Sequence, residues 1–140
     1  MAEKVEELKI WQRSMDFWRA VNTILDRPGL LRDGRLRSQL SDATDSIVSN
    51  IVEGFAQSSD KGFARYLVTS KGSAAEARAR LLLACERQYI TRDEFTSMDE
   101  VGDEIARMLT GFIKYLHKSN RRDRGLGLQR SRQPRRRVSD

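Results

Sequence analysis

Apolar residues recur at alternating steps of three and four along four stretches of the 140-residue chain. That rhythm is the seam of a left-handed helical bundle. The first stretch, 5–26, sets Leu8, Trp11, Met15, Trp18 and Leu25 on one stripe, with Ile10, Phe17, Val21 and Ile24 alongside. At ~100° per residue this arc covers about half the helix circumference, which predicts a helix packed on two partners. Pro28-Gly29 and then Asp33-Gly34 end it and make the turn. The second stretch, 35–56, runs Leu36, Leu40, Ala43, Ile47, Asn50 and Gly54, so Asn50 and Gly54 are expected on the core seam. The third follows the cap signal Ser58-Ser59-Asp60 and threads Phe63, Leu67, Ser70, Ala74, Ala77, Leu81 and Ala84 to about Gln88. Its small residues predict close approach of neighbouring backbones. The fourth opens on the capping box Thr91-Arg92-Asp93-Glu94 and repeats Phe95, Met98, Gly102, Ile105, Leu109, Phe112 and Leu116. Short connections between long helices favour antiparallel neighbours. The expected fold is all-α, an up-down-up-down four-helix bundle without a sheet.

The pattern stops after Asn120, and charge explains why. Residues 119–140 hold eight arginines (Arg121, Arg122, Arg124, Arg130, Arg132, Arg135, Arg136, Arg137) against two aspartates, a net +6. Residues 1–118 are left with 18 basic and 18 acidic groups, so the body is neutral and the high pI belongs to the tail. Low hydrophobicity, Gly, Pro and clustered like charge predict a disordered basic C-terminal tail. The division expected is a bundle over 1–118 and an Arg-rich tail over 119–140. No apolar run approaches the ~20 residues that span a bilayer, and the charged N-terminus is unlike a signal peptide, so a cytoplasmic protein without a membrane partner is expected.

Little catalytic chemistry assembles from these residues. Cys85 is the single cysteine, too few for a disulfide or a cysteine-based zinc site, and is read as a small helix residue. A di-iron bundle needs Glu-x-x-His on two helices, whereas His117 is the only histidine and has Lys114 three residues before it. His117 is read as a cap near a helix C-terminus. Lys71-Gly72-Ser73 matches the end of a phosphate-binding loop but lacks the upstream glycine and lies mid-helix. A nucleophilic triad would have His117 as its only candidate base. The expectation is a non-enzyme with no metal and no cofactor.

A polar set remains inside the seam of the second and third helices: Asn50, Glu53, Ser73 and Glu76, with Gly54 and Gly72 beside them. Each pair is spaced i, i+3 and shares a face. Structurally, Asn50 and Ser73 would fix helix register through buried hydrogen bonds, the glycines would permit close crossing, and the glutamates would bind groups of a neighbouring helix or subunit. Functionally, the same face would be a site for a small molecule or partner.

The run Ser46-Ile47-Val48-Ser49-Asn50-Ile51-Val52-Glu53-Gly54-Phe55, with Phe63-Ala64-Arg65-Tyr66-Leu67 and Lys71-Gly72-Ser73-Ala74-Ala75-Glu76, resembles the ribosomal RNA intervening-sequence protein family, also called the four-helix bundle protein family. The resemblance spans residues 6–118, with Leu8-Lys9-Ile10-Trp11-Gln12 and Met108-Leu109 similar to the family's ends. It implies a four-helix bundle assembled as a homopentameric ring, which would account for the wide apolar arc of the first helix. A related branch serves as accessory protein to the reverse transcriptase of diversity-generating retroelements, which implies nucleic-acid binding. Ser41 and Asp42 stand where the family is often basic, and Val48 replaces a common Pro. RNA or DNA is therefore expected on the tail arginines rather than on the bundle.

Two functions follow. The first is a non-enzymatic oligomeric scaffold that binds nucleic acid or a nucleic-acid-processing protein partner. The alternative is a ring that binds a ligand or peptide in subunit clefts near Asn50, Glu53 and Glu76, the basic tail being incidental.

Overall fold

The structure, a computed structural model, describes the backbone of residues 2–125 and the side chains of residues 2–119. A single 3-10 turn, Val5–Glu7, precedes α1 (Lys9–Asn22), a short α2 (Pro28–Arg32), α3 (Gly34–Phe55), α4 (Asp60–Glu86) and α5 (Arg92–Gly125). No strand occurs among the described residues. The first expected helix is thus divided: Leu8 is extended, and Ile24 and Leu25 are buried from a turn rather than from the helix. The element missed in the sequence is α2. Pro28 pre-sets its first helical residue, Leu30 is its buried anchor, and Asp33 ends it.

The four long helices form a closed square in which α1 lies against α3 and α5, and α4 lies against both as well. All four neighbouring pairs are antiparallel, because contact partners fall on one helix as they rise on the other. Ser46 meets Ser73, Ile47 meets Ser70 and Gly54 meets Phe63 between α3 and α4; Arg78 meets Asp99 and Phe63 meets Phe112 between α4 and α5. The caps read from sequence hold each helix start. Ser59 Oγ accepts from the Gly62 amide at 3.0 Å, and Thr91 and Glu94 exchange reciprocal bonds of 3.1 and 2.8 Å.

On α3, α4 and α5 the expected seams face the core, with Leu40, Phe63, Leu67, Leu81, Ile105 and Leu109 fully buried. On α1 the assignment reverses. Ile10, Ser14, Phe17 and Val21 are the buried row, while Leu8, Trp11, Met15 and Trp18 are half-buried. Ser14 is what hides that row in the sequence, since a polar residue interrupts its spacing of four, three and four. The wide arc does serve two partners, α3 and α5, within the chain itself.

Candidate functional site

The polar set expected on the α3–α4 seam is partly assembled, with a different key residue. Ser46 Oγ and Ser73 Oγ stand 2.7 Å apart across the two helices, and Asn50 Nδ2 donates to Ser46 Oγ at 3.0 Å and to Ser46 O at 2.8 Å. Asn50 therefore acts through Ser46 and does not reach Ser73. The seam position itself passes to Ile51, which is fully buried where Asn50 is half-buried. One turn along, Ser70 Oγ donates to the Ile47 carbonyl at 2.8 Å, a side-chain bond to the backbone of the facing helix that only close approach allows.

The two glycines part company. A Cβ on Gly54 would lie 2.8 Å from Phe63 Cδ1 and 3.0 Å from Tyr66 Cβ, so Gly54 is a true crossing glycine. Gly72 has nothing within 4 Å and is exposed, so it plays no part in packing among the described residues. Glu53 and Glu76 are exposed as well, and among the described residues their carboxylates make no hydrogen bond or ion pair; the expected contact with a neighbouring helix is absent.

Gly72 belongs instead to a second seam. Val68, Gly72, Ala75, Ala79 and Leu82 follow steps of four, three, four and three along the outside of α4, and all five are exposed. Val68 is 54% exposed and Leu82 40%, although no charge interrupts the row. Thus α4 is apolar on opposite faces. The core row is expected from the sequence, whereas the outer row is concealed there by its small residues.

The other end of the bundle, around α2, is organised by charge. Asp33 caps α3 by accepting from the Leu36 amide at 3.3 Å, and its other oxygen accepts from Arg87 Nη1 at 2.6 Å and Tyr89 Oη at 2.9 Å. The Tyr89 hydroxyl, with the Arg87 guanidinium behind it, holds the Asp33 carboxyl below its usual range. Arg27 grips Glu94 with both terminal nitrogens, one bond being 2.7 Å, and holds that carboxyl at about 2. Arg78 pairs with Asp99 at 2.8 Å and Asp103 at 3.4 Å, tying α4 to α5. Three cavities of about 320, 500 and 250 Å³ open at this end, away from Asn50, Glu53 and Glu76.

Other expected residues are placed as follows. Cys85 is a buried residue near the end of α4. His117 is exposed and lies well inside α5, which runs through the expected boundary at Ser119 to Gly125, so His117 is no C-terminal cap. Arg121, Arg122 and Arg124 are on the last turns of that helix. Arg130, Arg132, Arg135, Arg136 and Arg137 lie outside the described residues. Among the described residues no three His, Cys, Asp or Glu side chains converge for a metal, and no helix is long and apolar enough to cross a membrane.

An antiparallel square of four helices with small residues at the α3–α4 crossing defines the class, a four-helix bundle domain. The chain belongs to the 23S rRNA-intervening sequence protein family, whose model matches residues 6–111. A solved protein of unknown function from the S23 ribosomal protein family of Bacteroides thetaiotaomicron is similar in fold and sequence. It shares 26% identity at a TM-score of 0.69, over 75% of this chain and 98% of its own. No curated protein matches the chain. The family match ends before the arginines of the tail begin.

Proposed function

We propose that the chain is a non-enzymatic cytoplasmic scaffold that assembles with copies of itself into a ring and binds RNA or DNA through its Arg-rich tail. The observation that carries the assembly is the outer seam of α4. A heptad-like row from Val68 to Leu82 without a partner among the described residues is the kind of surface a helix of another copy covers. The half-buried Trp11, Met15 and Trp18 on α1 supply a bulky row to set against those small residues. Contact between two different faces is head-to-tail, and such contacts close into rings when the rotation allows. The resemblance to a ring-forming family is what supports five copies as the number to test.

The nucleic-acid part draws on the tail's net +6 over a neutral body and on the family's association with 23S rRNA intervening sequences. Tails gathered on a ring raise avidity through effective concentration, with no new contact. The non-enzymatic part rests on the sequence, where His117 is the only candidate base for a nucleophile.

Light scattering on the Ala79→Glu variant tests the assembly. A carboxylate in the middle of a dry seam should reduce the mass to that of a monomer while helix content is kept; an unchanged mass would reject the α4 contact. Salt titration of RNA and single-stranded DNA binding tests the tail, comparing the full chain with one ending at Gly125. Binding that falls steeply with salt and is lost on truncation supports it. Equal binding by both chains removes residues 126–140 from the mechanism.

The second reading, a ligand or peptide held in subunit clefts, draws on Glu53 and Glu76, whose exposed carboxylates are unpaired among the described residues. Glu53→Gln and Glu76→Gln should then abolish ligand binding while the ring survives.

A further inference from the structure

The cavity of about 250 Å³ between the first turns of α3 and the last turns of α4 is lined by Arg35, Arg80 and Arg87, with Gln39 and Asp33. Leu36 and Leu83 supply its apolar part. Elsewhere on the body, Arg13, Arg27, Arg37, Arg78 and Arg107 are each matched to a carboxylate, whereas Arg32 and Arg65 are unmatched but exposed to solvent. In this cleft only Arg87 is matched, to Asp33. Arg35 and Arg80 make no ion pair or hydrogen bond among the described residues, and Arg80 Nε is buried without an acceptor. Asp33 has little acceptor capacity to spare, being engaged by Arg87, Tyr89 and the Leu36 amide.

A buried cationic donor left without an acceptor is costly, and like charges gathered around one cleft repel. Such a cluster is relieved by an anion that can accept several bonds at once. Guanidinium forks fit the oxygens of a phosphoryl group, which accept two parallel N–H bonds from each fork, and the Gln39 amide offers a further donor. The space is below the ~300–1,000 Å³ of ordinary small-molecule pockets, so it suits a charged group rather than a whole ligand.

We propose that the cleft formed by Arg35, Arg80 and Arg87 is a phosphoryl-binding site on the bundle, separate from the tail. The group it takes is a phosphate carrying at least one free negative charge, either on a nucleic-acid backbone or on a small phosphate compound. The site goes beyond the scaffold reading and does not depend on assembly, since all its residues come from one chain.

The test follows the Arg35, Arg80 and Arg87 Nε–H signals by 1H–15N NMR on the full chain, titrated with inorganic phosphate against chloride at matched ionic strength; the Arg35 and Arg87 signals report on variants at Arg80. Phosphate should shift these signals saturably, and Arg80→Gln should weaken phosphate binding by at least about tenfold, as expected for loss of a charged hydrogen bond. Asp33→Asn keeps a good cap while removing the one negative charge, and should tighten binding. Arg80→Gln should also leave the melting temperature unchanged or raised, because it removes a buried Nε donor that has no acceptor; an Arg with a purely structural role would lower it. A signal unmoved by phosphate, or phosphate binding equal in Arg80→Gln and wild type, overturns the site. Loss of the oligomer in Arg80→Gln with phosphate binding intact overturns it too, by assigning Arg80 to subunit contact. Repeating the titration with a 5′-mononucleotide and a single-stranded oligonucleotide identifies the source. Preference for the oligonucleotide that vanishes in Arg80→Gln means backbone; equal response to both means a small phosphate. The tail is present throughout, so failure of the cleft leaves the truncation result standing, and the reverse holds as well.

Discussion

The two ends of the bundle are built from different physics. At the α3–α4 crossing, Gly54 lies under Phe63, Ser70 bonds the Ile47 carbonyl, and Ser46 meets Ser73, all without a charge taking part. At the α2 end the helices are joined by Arg27–Glu94, Arg87–Asp33 and Arg78–Asp99. The crossing depends on volume, which pH and salt leave alone. The α2 end depends on charge, leaves cavities between its helices, and so is the end that a ligand or a change of pH can address. One fold thus keeps a rigid crossing and an adaptable end some twenty residues apart along the same helices.

The largest expected effect is at the crossing. Gly54→Val places carbon where Phe63 and Tyr66 already stand 2.8 and 3.0 Å away, and part of the obstruction is the Phe63 carbonyl at 3.2 Å, which cannot swing aside. Overpacking of this kind costs about 2–3 kcal/mol. Gly72→Ala, with nothing within 4 Å in its own subunit, should gain up to about 1 kcal/mol from helix propensity in the dissociated subunit. Urea unfolding of both variants settles the contrast. If Gly54→Val is as stable as wild type, the helices are not in close contact there.

The middle effect is at the charged end. Glu94 is held at about 2, below its ordinary 4.5, chiefly by the Arg27 guanidinium and then by the Thr91 amide. A depressed carboxylate contributes stability that is fully present above pH 4.5 and is lost as the pH falls towards about 2. The Arg27 side chain is 39% exposed and that of Glu94 31%, so solvent screening reduces the contribution to about 1 kcal/mol or less. Glu94→Gln should be less stable than wild type by that amount at pH 7 and should match it near pH 2. Because Gln keeps the cap bonds with Thr91, a constant gap between the two across this range would show that the charge of Glu94 contributes nothing.

Much of this architecture is legible in the sequence because heptad spacing and caps are local signals. Ser59 and the Thr91–Glu94 box mark helix starts, and the Phe95-to-Leu116 row identifies the inner face of α5. The features that escape depend on juxtaposition. Arg80 and Arg87 lie two turns apart along the end of α4, but Arg35 is on α3, and the antiparallel pairing of the two helices is what brings it to them. The outer row of α4 repeats the same spacing of four and three, but Gly72, Ala75 and Ala79 carry too little apolar area to mark a face by hydropathy. Asn50 and Ser73 do join one hydrogen-bonded set, but through Ser46, the residue of α3 that stands level with Ser73, and its spacing gave no sign of that role.

The smallest effect is at the close of α4, where the charged end begins. Gln88 has φ of 64°, the left-handed region that glycine enters without steric cost. The conformation is imposed by the helix terminus: the Gln88 amide donates to Cys85 O and the Tyr89 amide to Ala84 O, each at 2.9 Å, a paired arrangement that returns the chain on itself. That reversal delivers Tyr89 to Asp33 and packs its ring on Gly29, so the strained residue positions the network at the α2 end. Gln88→Gly relieves the strain but adds freedom to the unfolded chain, and the balance should be a gain of about 0.5 kcal/mol, read as a small rise in melting temperature. Gln88→Val, which keeps a side chain and is β-branched, should lose more than glycine gains. If both substitutions destabilise, the amide of Gln88 is needed in its own right, and the end of α4 is held by that side chain as well as by its backbone.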